Sequence, residues 1–442
     1  MLYEITKLLS YLAFQVYFRK VYFSNRELVP DEGPKIFAVN HPTAFLDPAL
    51  IASFYKYSLY FILRGDFFSS PLRRLLLVAL HNIPIFRLRD KKGFSGLRKN
   101  PKSMDYAIRT LNEGKHILIL PEGVVRHEKR LRPLQKGGAR MAFGVYEKYG
   151  NDSVRIIPVG ISYTNSDRFR SEVMVEFGEP VCVKDYLEIY GKEERRAVEK
   201  MTREVERRMQ KQIVHIENPE DDEVVNQVLE MNRNNRTESI FPLVVEDDSP
   251  LSEEKDLANR INVMDKQGKG NLKDALRQYY RHLERFGLDD LALAKQKGHL
   301  FLLAGFVPFL IGYLLNYPPL RLAVFIADKR VKRIEFHASV RFAVGMVGYV
   351  LYFVIWLAAA FILGNGYLIA LVFAMPFLGF FSLIYKEAYV KFKKENRFRQ
   401  LDENAQNRLR TIREEVFQIL ARTQQKGFTR RHQGTTKEGG MH

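Results

Sequence analysis

The 442-residue chain contains a single cysteine, Cys182. An internal disulfide is thereby excluded, as is a metal site built from several thiolates, and such sparse use of thiol fits a reducing compartment. A cleavable secretory leader is not expected either, because Glu4 stands early and no small-residue cleavage site follows the first apolar stretch. Acidic residues are in deficit, with 51 Asp and Glu against 69 Lys and Arg, a formal net charge of +18. That surplus draws the protein towards something anionic, either nucleic acid or anionic lipid headgroups. No internal repeat is found, so the chain is not a repeat array.

What is present first of all is length enough for two or three domains and a large core. Short apolar runs at 35–39, 59–63, 82–87, 116–120, 155–162 and 173–177 read as strands, and 102–112 and 136–148 read as helices between them. Strands alternating with helices argue for an α/β layered domain with a mostly parallel sheet. In such a sheet the site lies outside the carboxyl ends of the strands. Asn40-His41, Arg87 and Pro121-Glu122-Gly123 each follow an apolar run, so three separate blocks converge on one edge.

His41 and Asp47 stand in the stretch Val-Asn-His-Pro-Thr-Ala-Phe-Leu-Asp-Pro. An imidazole at a strand end, with a carboxylate close enough to fix its tautomer, is what a general base needs to take a proton from an alcohol. The same residues also suit a helix start, with Asp47 as N-cap and Pro48 in the first helical position.

Downstream come Ile83-Pro84-Ile85-Phe86-Arg87, then Pro121-Glu122-Gly123 with a basic loop containing Arg126, His127, Lys129, Arg130 and Arg132. Ile156-Ile157-Pro158-Val159-Gly160 and Phe177-Gly178-Glu179-Pro180 follow. The order and spacing of these blocks resemble the glycerolipid acyltransferase family, whose members acylate glycerol 3-phosphate or lysophosphatidate. The resemblance covers roughly the first half of the chain. Two features depart from the family pattern. Five residues separate His41 from Asp47, one more than usual, and an extra loop residue can be absorbed without moving the ends. Val124, Val125 and Arg126 stand where a small hydroxyl residue often follows the Glu-Gly.

The first twenty residues read as an amphipathic helix, with Leu2, Ile5, Leu9, Leu12 and Val16 at steps of three and four and Arg19-Lys20 closing. Residues 1–30 are accordingly expected at a membrane surface, the alternative being a helix packed on the catalytic core. Residues 71–80, with Arg73-Arg74 ahead of an apolar run, suit an interfacial or a buried helix equally. The catalytic domain is set at 31–215 and a charged helical or connecting region at 216–297, with a loop over 231–236. A membrane region follows at 298–395 and a basic tail at 396–442. Within the membrane region, 342–363 and 367–385 are long enough to cross a bilayer as a hairpin turning at Gly364-Asn365-Gly366. Residues 300–315 are shorter, broken by Gly305, Pro308 and Gly312, and suit a re-entrant or interfacial segment. The basic residues of the loop 321–341 and of the tail place both on the cytoplasmic side.

The resemblance implies O-acyl transfer, with a fatty acyl group moving from an acyl thioester to a hydroxyl of glycerol 3-phosphate or lysophosphatidate in phospholipid synthesis. His41 would act as base and Asp47 would orient it, a role borrowed from the hydrolase triad. Arg87, Arg126 and Lys129 would hold the acceptor phosphate, and Glu122 would lie near the acceptor or, equally, serve the turn. Backbone N–H groups around Gly123 would hold the oxyanion. No metal and no cofactor are implied beyond the co-substrate, an acyl-CoA or an acyl carrier protein thioester. Expected partners are that donor, the phosphorylated acceptor and anionic membrane lipids rather than nucleic acid, with the catalytic domain on the cytoplasmic face of a membrane. A basic, membrane-anchored lipid-binding or scaffold protein lacking catalysis would share the charge and the hairpin, but would not need His41, Asp47 and Pro-Glu-Gly together.

Overall fold

The computed structural model describes residues 1–86, 100–236, 239–294 and 299–435. The chain forms two units, the first comprising Met1–Val214, Ile240–Leu251 and Leu322–Tyr349. It is built on a mixed, mostly parallel sheet: β1 (Lys20–Ser24), β2 (Lys35–Val39), β3 (Leu59–Arg64), β4 (Asn82–Ile85), β5 (His116–Ile119), β6 (Arg155–Tyr163), β7 (Glu172–Phe177), β8 (Val181–Cys182) and β9 (Val244–Glu246). The strand order is β4-β3-β5-β2-β6-β7-β1-β9, with β8 on β6. β6 pairs antiparallel with β7 and β8, and the remaining pairs are parallel.

Side-chain alternation along the strands explains the layers. Ile36 and Ala38 of β2, with Ile117, Ile119 and Ile156, face one core, closed by α4 (Asn100–Asn112), α5 (Gly137–Tyr149) and α7 (Glu194–Lys211). Phe37 and Val39, with Leu118, Ile157, Val159 and Ile161, face the other, closed by α1 (Leu2–Tyr17) and α2 (Leu46–Phe54). α5 stops at Gly150, whose φ of 67° is left-handed and whose N–H donates to the Tyr146 carbonyl.

The amino-terminal helix ends earlier than the pattern suggested, at Tyr17, and Lys20–Ser24 is a parallel strand between β7 and β9. Val21, Tyr22 and Phe23 are fully buried there, and that burial overrides the basic pair read as a helix end. α1 itself combines both readings. Tyr3, Phe14 and Tyr17 are buried on the core, while Leu2, Ile5, Leu8, Leu12 and Val16 are exposed. The helix α3 (Pro71–Ala79) starts with Pro71 in its first turn and the Ser70 side chain accepting from the Arg73 amide. None of its residues is buried, so the buried reading of this stretch is wrong.

The second unit comprises His215–Ser239, Ser252–Arg321 and Val350–His442. Residues 231–235, read as a loop from their polar character, belong to the helix α8 (Asp222–Asn235). Val224, Val225, Val228, Leu229 and Met231 form its buried stripe, and that packing outweighs the weak helix propensity of the asparagines. Asp290, fully buried, accepts from Tyr279 Oη at 2.6 Å, Asn234 Nδ2 at 2.9 Å and Arg413 Nε at 2.7 Å. The connecting region is therefore an ordered helical body with a buried, fully partnered charge at its centre.

Among the described residues, three helices are long and apolar enough to cross a membrane: 306–330, 334–362 and 366–399. The short, broken segment expected over 300–315 is instead a six-residue helix, His299–Ala304, followed by a 25-residue helix, Phe306–Arg330. The latter runs through Pro318-Pro319. Pro319 removes the N–H that would bond the Leu315 carbonyl, and the Tyr352 hydroxyl donates to that carbonyl at 3.0 Å. Gly312 lies against the Leu378 carbonyl, and Asn316 Nδ2 donates to the Gly312 and Met375 carbonyls, so a small residue and a polar one close this helix contact. The expected loop 321–341 shrinks to the few residues between Arg330 and His337, because apolar positions up to Ala327 continue the helix. The Gly-Asn-Gly turn is as read: Asn365 caps the helix Gly366–Arg399 by accepting from the Tyr367 and Leu368 amides.

Candidate active site

β2, β5 and β6 run in the same direction, so residues 40–41, 120–123 and 163 emerge together at one carboxyl edge. The edge opens at Asn40. Its Nδ2 donates to the Ile161 carbonyl at 3.0 Å and its Oδ1 accepts from the Ile161 amide at 2.7 Å. The side chain thus replaces one rung of the ladder and frees the backbone to turn outwards at His41.

His41 Nδ1 lies 3.0 Å from Asp47 Oδ2, which closes the pair despite the additional residue between them. The extra length is used by Thr43: its amide donates to Oδ2 at 2.9 Å and its hydroxyl to Oδ1 at 2.5 Å. Tyr163, at the end of β6, donates its hydroxyl to Oδ1 at 2.8 Å. Asp47 is fully buried. Burial pushes its carboxyl above the usual carboxylate value, while His41, Thr43 and Tyr163 pull it back. Burial, then the neighbouring Asp47 charge, holds the Tyr163 phenol well above its ordinary value and keeps it a donor. Asp47 caps no helix. α2 starts one residue earlier at Leu46, and the carboxylate turns back to the imidazole. The His41 side chain is 12% exposed, and its Nε2 has no hydrogen-bond partner among the described residues.

Glu122 holds His41 by its backbone. Its Oε1 accepts from the His41 amide at 2.7 Å and its Oε2 from the Arg132 amide at 3.2 Å. Burial pushes the Glu122 carboxyl up, and those two amides lower it. The His41 carbonyl in turn accepts from the Arg126 amide at 3.4 Å. Strand end, turn and basic loop are thereby tied to one residue.

This arrangement can abstract a proton from a hydroxyl at His41 Nε2, with a buried carboxylate behind the ring to orient it and stabilise its cation. The family model for acyltransferases matches residues 20–162, which include every member of this arrangement except Tyr163. Over that stretch the chain is similar to an acyltransferase domain. A 63-residue segment is 41% identical to glycerol-3-phosphate O-acyltransferase 1 of Saccharomyces cerevisiae, covering 14% of this chain and 8% of that protein. Glycerol-3-phosphate O-acyltransferase 2 of the same yeast is 33% identical over 88 residues, 20% of this chain and 12% of the relative. An uncharacterized acyltransferase of Schizosaccharomyces pombe is 33% identical over 89 residues, 20% of this chain and 13% of the relative. The matched stretches thus span about a tenth of the length of these relatives. The crystal structure of a 1-acyl-sn-glycerophosphate acyltransferase from Thermotoga maritima aligns with 47% of this chain and 78% of its own, at a TM-score of 0.32 and 21% identity.

The residues read from sequence are placed differently by the structure. His41, Asp47 and Glu122 meet at one point, while Arg87 lies outside the described residues. Arg126 bonds the His41 carbonyl through its amide and carries an exposed side chain, but the Lys129 ammonium donates to the Tyr163 carbonyl at 2.9 Å and braces the end of β6. The Gly123 amide donates to the Leu120 carbonyl at 3.1 Å and its φ is 68°, so the glycine serves the turn. Thr43, Asn40 and Tyr163 were not singled out as site residues. Tyr163 gives no local signal, being 116 residues from Asp47 and joined to it only by the β2–β6 pairing.

Proposed function

We propose that the chain transfers an acyl group from a thioester to a hydroxyl of a phosphorylated glycerol acceptor, glycerol 3-phosphate or a lysolipid. The observation that carries this reading is the His41–Asp47 contact at 3.0 Å, with an accessible imidazole on a buried, four-times hydrogen-bonded carboxylate. His41 Nε2 accepts the acceptor's hydroxyl proton as that oxygen attacks the thioester carbonyl. The new C–O bond gives a tetrahedral oxyanion; its collapse breaks the C–S bond, and the imidazolium returns the proton to the leaving thiolate. Asp47 stays in place as the ring's partner, and its carboxylate offsets the transient positive charge. The thioester, of coenzyme A or of an acyl carrier protein, is a co-substrate, and this chemistry calls for no other cofactor.

Arg126, whose amide bonds the His41 carbonyl and whose side chain is exposed, is proposed to meet the acceptor phosphate, together with Arg87, which lies outside the described residues and is included on the resemblance alone. The apolar helices and their basic flanks support membrane attachment with this unit on the cytoplasmic face. The test is direct. Purified full-length protein is given a labelled acyl thioester and each acceptor in turn. Acyl transfer to a phosphorylated glycerol or lysolipid, abolished in His41→Ala, is expected. Binding of lipid without transfer to any acceptor would leave the non-catalytic scaffold reading in its place.

A further inference from the structure

α2 begins at Leu46, immediately before Asp47, and the first N–H groups of a helix need partners from elsewhere. Phe45, in the capping position, has no side-chain acceptor to offer. The acceptor comes from far along the chain: Ser339 Oγ lies 3.1 Å from the Leu46 amide, 293 residues away in sequence. Two residues upstream of Leu46, the Ala44 amide donates to the Glu335 carbonyl at 3.4 Å. The linker between His41 and Asp47, one residue longer than the family pattern, is therefore gripped at two amides by one distant segment.

That segment is itself fixed. The Tyr17 hydroxyl donates to the Ala338 carbonyl at 3.2 Å, Arg341 Nη1 donates to the Asp167 carbonyl at 2.9 Å, and Phe342 stacks on Phe14 with ring centroids 4.2 Å apart. Ser339 is fully buried. It lies in the first turn of the helix His337–Ile362, which is among those apolar enough to cross a membrane.

We propose that Ser339 is a positioning residue for the His41–Asp47 pair, so that the helix long enough to enter the bilayer also completes the catalytic loop. Ser339 touches neither reacting atom. It acts through the Leu46 amide, fixing the helix start that aims the Asp47 carboxylate at the imidazole. A loop with a spare residue needs such an external hold, because a displacement on the order of 1 Å in the base lowers turnover steeply.

The inference rests on acyl transfer at His41, and the experiment keeps the two apart. Full-length Ser339→Ala and Ser339→Cys, the second close to serine in shape but a poor acceptor, are compared with the parent for kcat, both KM values and amide exchange across 43–50. Both variants are expected to lose about tenfold in kcat with KM values within about twofold, and to exchange the Leu46 amide about tenfold faster. Parent-level kcat in either folded variant would overturn the role, as would a raised KM at unchanged kcat. A parent without acyl transfer would refute the reaction instead. In that case unaltered exchange at Leu46 would still refute the hold by Ser339, and faster exchange would uphold it.

Discussion

Asp47→Asn separates charge from geometry in this site. The carboxylate accepts from His41 Nδ1 and the Thr43 amide on one oxygen, and from the Thr43 and Tyr163 hydroxyls on the other. An asparagine can keep its carbonyl on the first pair and turn its NH2 towards the two hydroxyls, which reverse to accept it. The ring tautomer and the loop are therefore retained, and what disappears is the negative charge behind the imidazolium. With charge centres about 4 Å apart and an effective dielectric of about 20, that charge is worth about 4 kcal/mol in the transition state, a factor of about 10³ in kcat. Stability should not fall, since burial already opposes ionisation of this carboxyl. The assay is thiol release at saturating donor and acceptor, with melting of the same sample as the folding control. Turnover within tenfold of the parent in a folded variant would refute the electrostatic argument. A rise in donor KM at unchanged kcat would place Asp47 in binding rather than in catalysis.

Glu122→Gln should lower the melting temperature by a few degrees, because the amide NH2 must face one of two backbone donors, His41 N or Arg132 N, at a cost of about 1–3 kcal/mol. An unchanged melting point with a raised acceptor KM would instead make Glu122 a substrate contact. Arg126→Ala should raise the KM for a phosphorylated acceptor by about one to two decades at constant kcat, checked against an unphosphorylated analogue that should lose nothing. Stability should also depend on His116, whose imidazole is pushed down to about 4 by burial and then by the Lys35 and Lys56 charges. Between that value and the ordinary 6.5 the unfolded chain binds more protons than the folded one. Stability present above pH 6.5 is therefore lost as pH falls towards about 4, by up to about 3 kcal/mol. Denaturant midpoints of His116→Phe should be flatter over that window, and parallel curves for variant and parent would contradict the assignment.

Much of this was local and therefore readable. β2 was read with its true ends, and β3, β5, β6 and β7 to within a residue, because each is a short apolar run bounded by polar or turn residues. The proximity of His41 and Asp47 followed from their separation along the chain, and the extra residue between them did not prevent the contact. Misreadings came where tertiary burial overrode local character. Arg19-Lys20 looked like a helix end until Val21 and Phe23 beyond it found a core, and 231–235 looked like a loop until Met231 did.

By itself the sequence determined the strand pattern, the apolar helices, the excess positive charge and the proximity of His41 to Asp47, since each depends on residues close to one another along the chain. Only the tertiary structure decided how those residues are held. Glu122 serves the His41 backbone, Gly123 serves a turn, Lys129 braces Tyr163, and Tyr163 and Ser339 reach the 41–47 loop from 116 and 293 residues away. Contacts of that span leave no periodicity or spacing in the chain. They arise from strand order and from the seating of one helix start, which local preferences do not encode.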